Sequence, residues 1–225
     1  MKDIFWCKNC LVMSTRPRVT FDERGFCSAC RWVEEKEKLD WKKREEKLIQ
    51  LLNKNRSEKK QFDCITTVSG GKDGSYVTYN LKNKYKMNPL SVTIRPITET
   101  KLGIENLNSF ISKGYDHVLV SPDSEAMRKL CKLGLTEMGF PYYGWLIAIH
   151  TAVFRVAVQF NIPLVFYSED GEVEYGGDAK NKHSGTYNID YIKHAYLEGG
   201  YQKILKKSGL NERELYWFKF PTEDE

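Results

Sequence analysis

Long apolar runs are missing from this chain of 225 residues. A helix that spans a bilayer needs about 18 or more consecutive apolar residues. The best candidate, residues 145–158, is interrupted by His150, Thr151 and Arg155. The N-terminus reads Met-Lys-Asp-Ile-Phe-Trp-Cys and has no apolar h-region, so no secretory signal is expected. Cysteine is scarce. Six residues are far too few for a disulfide scaffold. Charge of one sign is also weak, since a net charge of +5 tolerates a polyanionic partner without implying one. Repeats and low-complexity tracts are lacking, and an aromatic content of 13% argues against collagen-like or disordered chains. A soluble, cytoplasmic globular protein is expected. Its 41% hydrophobic residues suffice for a core, and its length suits one large domain with an appendage.

Organisation follows from pattern. Residues 1–33 hold four cysteines and little periodicity, and read as a small metal-binding knuckle. Residues 34–60 are rich in charge of both signs, with a thin stripe from Leu48, Leu51 and Leu52, and read as an exposed connecting helix. From residue 62, β-prone runs alternate with helical spacing. Residues 64–68, 90–94, 117–120 and 163–167 are expected strands. Helices are expected around Val77–Tyr85, Ile104–Ile111, Met127–Leu133 and 145–160. Apolar strands alternating with helices predict an α/β fold with a parallel sheet covered on both faces. Ligands in such sheets bind outside the C-terminal strand ends.

The four N-terminal cysteines form a C-x2-C-x16-C-x2-C pattern: Cys7, Cys10, Cys27 and Cys30. Two C-x2-C turns place four thiolates for a tetrahedral, closed and therefore structural zinc site. Disulfides, an iron–sulfur cluster and free thiols are the weaker readings. Cys64 and Cys131 stand apart, in a strand and on an apolar helical face, and read as inert core thiols.

Val68-Ser69-Gly70-Gly71-Lys72-Asp73-Gly74-Ser75 joins an expected strand to an expected helix. Glycines let the backbone approach a ligand, and the helix directs N–H groups and a positive dipole end towards it. This suits a phosphate or pyrophosphate. The bland alternative is a turn with Asp73 as helix cap. The loop is not G-x4-G-K-[ST] or G-x-G-x-x-G. It resembles the S-G-G-x-D-S signature of the PP-loop ATP pyrophosphatase superfamily, with Gly74 where the signature ends in serine. That superfamily splits ATP into AMP and pyrophosphate on a Rossmann-like, adenine nucleotide alpha hydrolase-like domain. The resemblance implies that Ser69, Gly70, Gly71, Lys72, Asp73, Gly74 and Ser75 bind ATP phosphates, and that Thr93 and Arg95 lie near the adenine.

After the last expected strand comes SEDGEVEYGGD, with Glu169, Asp170, Glu172, Glu174 and Asp178 within ten residues. Carboxylates there suit Mg2+, substrate hydroxyls or ammonium. A solvated acidic turn is the bland alternative. The cysteine pairs, VSGGKDGSY, NIPLVFYSEDGEVEYGGD and their spacing together are similar to the N-acetyl sugar amidotransferase family of lipopolysaccharide O-antigen and nonulosonic-acid biosynthesis. The resemblance runs over nearly the whole chain.

It implies ATP-dependent conversion of an acetamido to an acetamidino group on a nucleotide- or carrier-linked N-acetyl sugar. Ammonia would come from a separate glutaminase subunit through a cyclase-like subunit. The implied cofactors are ATP, Mg2+ and structural Zn2+, and Asp73, Glu169, Asp170 and Glu172 are the catalytic candidates. The expected layout is a knuckle over 1–33, a helix over 34–60, a PP-loop domain over 61–208 and a tail over 209–225. The family's C-terminal part is expected to be absent. The alternative is a tRNA thiolation enzyme, which shares the zinc cysteines and the S-G-G-K-D loop. Such enzymes typically use further cysteines, and none follows Cys131.

Overall fold

Apolar, β-branched runs and capped helices alternate along the chain, and the computed structural model describes residues 3–57, 61–169, 171–178, 181–186 and 188–225. In chain order the elements are α1 (Ser28–Lys36), α2 (Trp41–Asn55), β1 (Cys64–Thr67), α3 (Lys72–Tyr79), β2 (Pro89–Ile94), α4 (Lys101–Ser112) and β3 (His117–Val120). They continue with α5 (Ser124–Met138), α6 (Tyr143–Gln159), β4 (Val165–Phe166), α7 (Gly171–Glu174), α8 (Ile189–Tyr191) and α9 (Tyr201–Ser208). The chain divides into two compact units. The first joins Met1–Glu46 to Glu169–Glu198, and the second joins Lys47–Ser168 to Gly199–Glu225.

The second unit is built on a four-stranded parallel sheet, ordered β3-β2-β1-β4. β2 is buried along its whole length, as a strand covered on both faces must be. Where strands carry hydroxyls, these pair internally. Thr78 donates to Thr66, whose Oγ1 lies 3.3 Å from Ser91 Oγ, so these three buried hydroxyls satisfy one another. Strand β4 is shorter than its sequence pattern, since only Val165 and Phe166 pair with β1.

Helix α6 is apolar nearly all round and is correspondingly buried. The C-terminal residues pack along it. Thr151 Oγ1 donates to the Trp217 carbonyl at 2.6 Å, Arg155 Nε donates to the Lys219 carbonyl at 2.8 Å, and Phe218 is fully buried. The connecting stretch over residues 34–60 is not one helix. α1 starts at the second cysteine pair, the chain breaks over residues 37–40, and Asp40 accepts the Lys43 N–H to open α2. Leu52 of α2 is buried against Cys64, Leu81 and Met87.

The first unit is a metal-type knuckle with a later segment packed on it. Isolated antiparallel bridges, Trp6 with Met13 and Phe21 with Cys27, form its only β-pairing among the described residues. Among the described residues no helix is long and apolar enough to cross a membrane.

Candidate functional site

The sheet order has one reversal. From β1 the chain steps to β2 and β3 on one side, then returns to β4 on the other. In parallel sheets such a switch point opens a crevice at the C-terminal strand ends. The loop after β1 and the residues after β4 meet there. Ser168 Oγ donates to the Thr67 carbonyl at 3.0 Å, tying the two exits together.

The loop itself is held by close backbone packing. Gly70 has φ +83, and a Cβ on it would stand 2.8 Å from Leu107 N and 3.0 Å from the Gly103 carbonyl oxygen of α4. Only glycine adopts that conformation in that space without strain. Gly71 is extended and serves as the N-cap of α3, with no side chain bonded to that helix end. Asp73 is therefore not the cap. It sits in the first turn and pairs with Lys72 Nζ at 2.7 Å, on the surface. First-turn N–H groups have no partner within their own helix, so an end without a side-chain cap offers donors and a positive dipole to an anion.

Ser69 is exposed, whereas Ser75 turns its hydroxyl back to the Gly71 carbonyl at 2.8 Å. Gly74 is buried against β1. A cavity of about 520 Å3 flanks the loop, lined by Gly70, Gly71, Lys72 and Ser75 and by Tyr76 and Tyr79 further along α3, with α4 opposite.

Thr93 sits at the end of β2 but is buried. Its hydroxyl donates to the Val68 carbonyl at 2.7 Å, so it accepts from His117 Nε2 at 2.8 Å. Thr93 thus braces the root of the loop. Partial burial lowers the His117 pKa, which favours the neutral ring. Arg95 is exposed at the same strand end, 3.6 Å from Glu99. Neither His117 nor Ser168 carries a motif that sequence reasoning could use, although Ser168 directly follows a strand.

The acidic residues belong to the first unit. Glu169 is exposed and follows Ser168 directly in the chain. Asp170 lies outside the described residues. Glu172 is buried, with Arg18 Nε and Nη2 each donating to it at 2.9 Å and Asp178 N donating at 2.7 Å. Burial pushes its carboxyl up, but these donors outweigh it and hold the pKa below the usual range. Glu174 lies 3.6 Å from Lys36. Arg18 itself was invisible to sequence reasoning, for it sits between the cysteine pairs in no recognisable pattern.

Cys7, Cys10, Cys27 and Cys30 gather into one cluster, with all four sulfurs within 4.8 Å of one another. Separations of 3.8 Å (Cys7–Cys30), 3.4 Å (Cys10–Cys27) and 3.7 Å (Cys27–Cys30) compare with the roughly 3.8 Å edge of a tetrahedron of Zn–S bonds of about 2.3 Å. The donor set therefore fits zinc. Outer bonds prepare the thiolates: Asn9 N and Cys27 N donate to Cys7 Sγ, and Asn9 Nδ2 donates to Cys30 Sγ. Burial pushes Cys7 up, yet the backbone donors of Cys10, Asn9 and Cys27 bring it down to about 6, while burial takes Cys30 up to about 12.

Neither remaining thiol is activated. Burial, with Asp63 beside it, pushes Cys64 up to about 12, and burial also raises Cys131.

Comparison with family models and with curated proteins finds no match. Among solved structures, the chain is similar to an NH3-dependent NAD synthetase from Campylobacter jejuni (TM-score 0.40, 15% identity, 82% of this chain and 99% of that one). It is similar to an NMN synthetase from Francisella tularensis (TM-score 0.39, 14% identity, 80% and 93%). It is also similar to a predicted subunit of a tRNA methyltransferase from Methanocaldococcus jannaschii (TM-score 0.37, 15% identity, 66% of each chain).

Proposed function

We propose that this chain is an ATP-dependent amidotransferase of the PP-loop type, converting the acetamido group of a nucleotide- or carrier-linked N-acetyl sugar to an acetamidino group. The observation that carries the reading is the glycine loop at the switch point of the sheet, pressed onto α4 at Gly70 and entering α3 without a side-chain cap. Its motif resemblance and that of the acidic segment supply the substrate class. The state of the cysteines favours ammonia over sulfur: four are gathered in the cluster, and burial keeps the other two protonated.

The chemistry begins with an amide oxygen, a poor leaving group. That oxygen attacks the α-phosphorus of ATP, an O–P bond forms, and the bond to the β-phosphate breaks. Charge gathers on the departing pyrophosphate. The N–H groups of residues 70–74 and the dipole of α3 stabilise it, as preorganised donors do at developing charge. Ammonia then adds to the imidate carbon, the C–O bond breaks, and AMP leaves with the former amide oxygen. A proton lost from the incoming nitrogen needs an acceptor, and Glu169 and Asp170 are assigned to that task. Mg2+, when bound, would supply charge neutralisation at the phosphates, with Asp73 beside the loop as the candidate residue to hold it. Arg95 flanks the adenine, and Thr93 acts indirectly, through the brace it gives the loop. Ammonia comes from a partner glutaminase through a cyclase-like subunit, in the cytoplasm.

The test is pyrophosphate–ATP exchange with the zinc-loaded protein, first with a panel of UDP-N-acetyl sugars and then with tRNA. Exchange stimulated by a sugar supports the reading. Exchange that answers only to tRNA sinks it and favours thiolation.

A further inference from the structure

The sequence motif GEVEYGGD has a structural partner within its own unit. Arg18 lies between the two cysteine turns, in the left-handed region at φ 63. From there its guanidinium forks onto both oxygens of Glu172, reaches Glu198 at 2.8 Å and donates to the Ala195 carbonyl at 3.1 Å. The Glu172 carboxylate is the hub of a tight turn. Gly177 N donates to the Glu172 carbonyl at 2.6 Å, and Asp178 N donates to the side chain. A Cβ on Gly177 would stand 2.2 Å from Glu172 Oε2, so the turn closes around the carboxylate only with glycine there.

The next glycine is fitted to the knuckle. Gly176 has φ +79, and a Cβ on it would meet Ala29 N at 2.8 Å. Ser28 Oγ donates to its carbonyl at 2.6 Å. Ser28 and Ala29 follow Cys27 at the start of α1, so the segment rests on the turn that carries two of the four sulfurs. Lys36 with Glu174 and Arg16 over the Tyr175 ring at 5.7 Å flank these contacts.

We propose that the cysteine knuckle is the mould of the acidic segment and that Arg18 is its positioning residue, gripping Glu172 so that the turn over residues 172–178 keeps one shape. Both oxygens of Glu172 are engaged by donors, so it is a strut, and Glu169 is the exposed carboxylate that the strut leaves open. The metal site then has a second consequence beyond folding the N-terminal residues: losing the ion loosens a segment about 145 residues further along the chain. What the segment is used for rests on the proposed amidotransfer, whereas its order does not. The two can therefore fail separately.

The test is hydrogen exchange by mass spectrometry on the full zinc-loaded chain, without nucleotide. In Arg18→Ala the amides of residues 172–178 are expected to exchange at least tenfold faster, with one zinc per chain retained and strands β1–β3 unchanged. Arg18→Lys is expected to restore only part of the protection, because an ammonium cannot make the two-point fork. If Arg18→Ala sheds zinc, Glu172→Gln replaces it, and the same tenfold rise is expected with the cysteines untouched. Removing zinc from the unaltered chain with a chelator is expected to raise exchange in the same residues. Unchanged exchange over 172–178 in a zinc-bound Arg18→Ala or in Glu172→Gln overturns the positioning role, and unchanged exchange in the metal-free chain overturns the mould.

Discussion

Gly74 packs its bare Cα against the end of β1, where a Cβ would come within 2.5 Å of the Thr67 carbonyl oxygen and 3.0 Å of Val68 Cα. Both neighbours are backbone and cannot swing aside. This accounts for the departure from the S-G-G-x-D-S signature: helix α3 lies too close to its strand here for a side chain. Restoring the serine should therefore harm the protein. Gly74→Ser is expected to lose about 1–3 kcal/mol of stability, the usual cost of overpacking. Denaturant unfolding checks it, and a variant as stable as the original would show that the loop has room.

Gly70 and Gly71 separate folding from ligand approach. At Gly70 a Cβ meets the α4 backbone and φ is +83, so Gly70→Ala should destabilise. At Gly71 the backbone is extended and the nearest atom is Ser69 Oγ at 3.4 Å, so alanine fits. Gly71→Ala should melt within about 2 °C of the original yet lose ATP turnover, because the methyl stands where a phosphate is expected. Thermal melts and turnover, measured together, decide it.

The cysteine cluster should hold one zinc per chain, measured by native mass spectrometry and metal analysis. Cys30→Ser removes a buried ligand and is expected to abolish binding. Zinc uptake at neutral pH should release protons, since the metal takes thiolates and burial keeps Cys30 protonated up to about 12. A metal-free chain whose first unit keeps the exchange protection of the zinc form would contradict the site.

A buried histidine, His150, and a half-buried one, His117, set the acid limb of stability. Burial lowers the pKa of His150 to about 4 and also lowers that of His117, from an ordinary value of about 6.5. With folded pKa values depressed, the unfolded chain binds more protons below about 6.5. Their contribution is therefore intact above that pH and declines as pH falls towards 4. Stability measured by denaturant at pH 7.5, 6 and 5 should fall steadily, with a shallower slope in His150→Gln. Depressed carboxyls such as Glu172 add to the loss only below about pH 4.5. A flat profile from 7.5 to 5 would contradict the assignment.

The two acidic residues should differ in kind. Glu169→Gln is expected to fold normally and to lower amidine formation at least tenfold, as loss of a proton-handling group does. Glu172→Gln is expected to lose order over residues 172–178 as well. Melts beside product assays separate them.

Much of the sheet was legible because β1, β2 and β3 are mainly apolar or β-branched runs bounded by Gly, Pro or Asp, although only β2 is buried along its whole length. β4 was less so, since pairing keeps only Val165 and Phe166 of a longer apolar run. The break between α1 and α2 was hidden because α1 buries Cys30 in the knuckle and Trp32 beside His183, while the charge pattern runs on unbroken. The glycine loop and the cysteine spacing were readable, being local. The acidic segment's packing was not. It depends on Arg18 meeting Glu172 across 154 residues, and no periodicity encodes such a pair.

The central claim is that ATP activates an amide oxygen. Its most direct test uses ATP, ammonium and a panel of UDP-N-acetyl sugars labelled with 18O in the acetamido oxygen, followed by mass spectrometry of the products. The account predicts AMP carrying one 18O in its phosphate and unlabelled pyrophosphate, in step with amidine formation. Unlabelled AMP, or ADP and phosphate in its place, would contradict it.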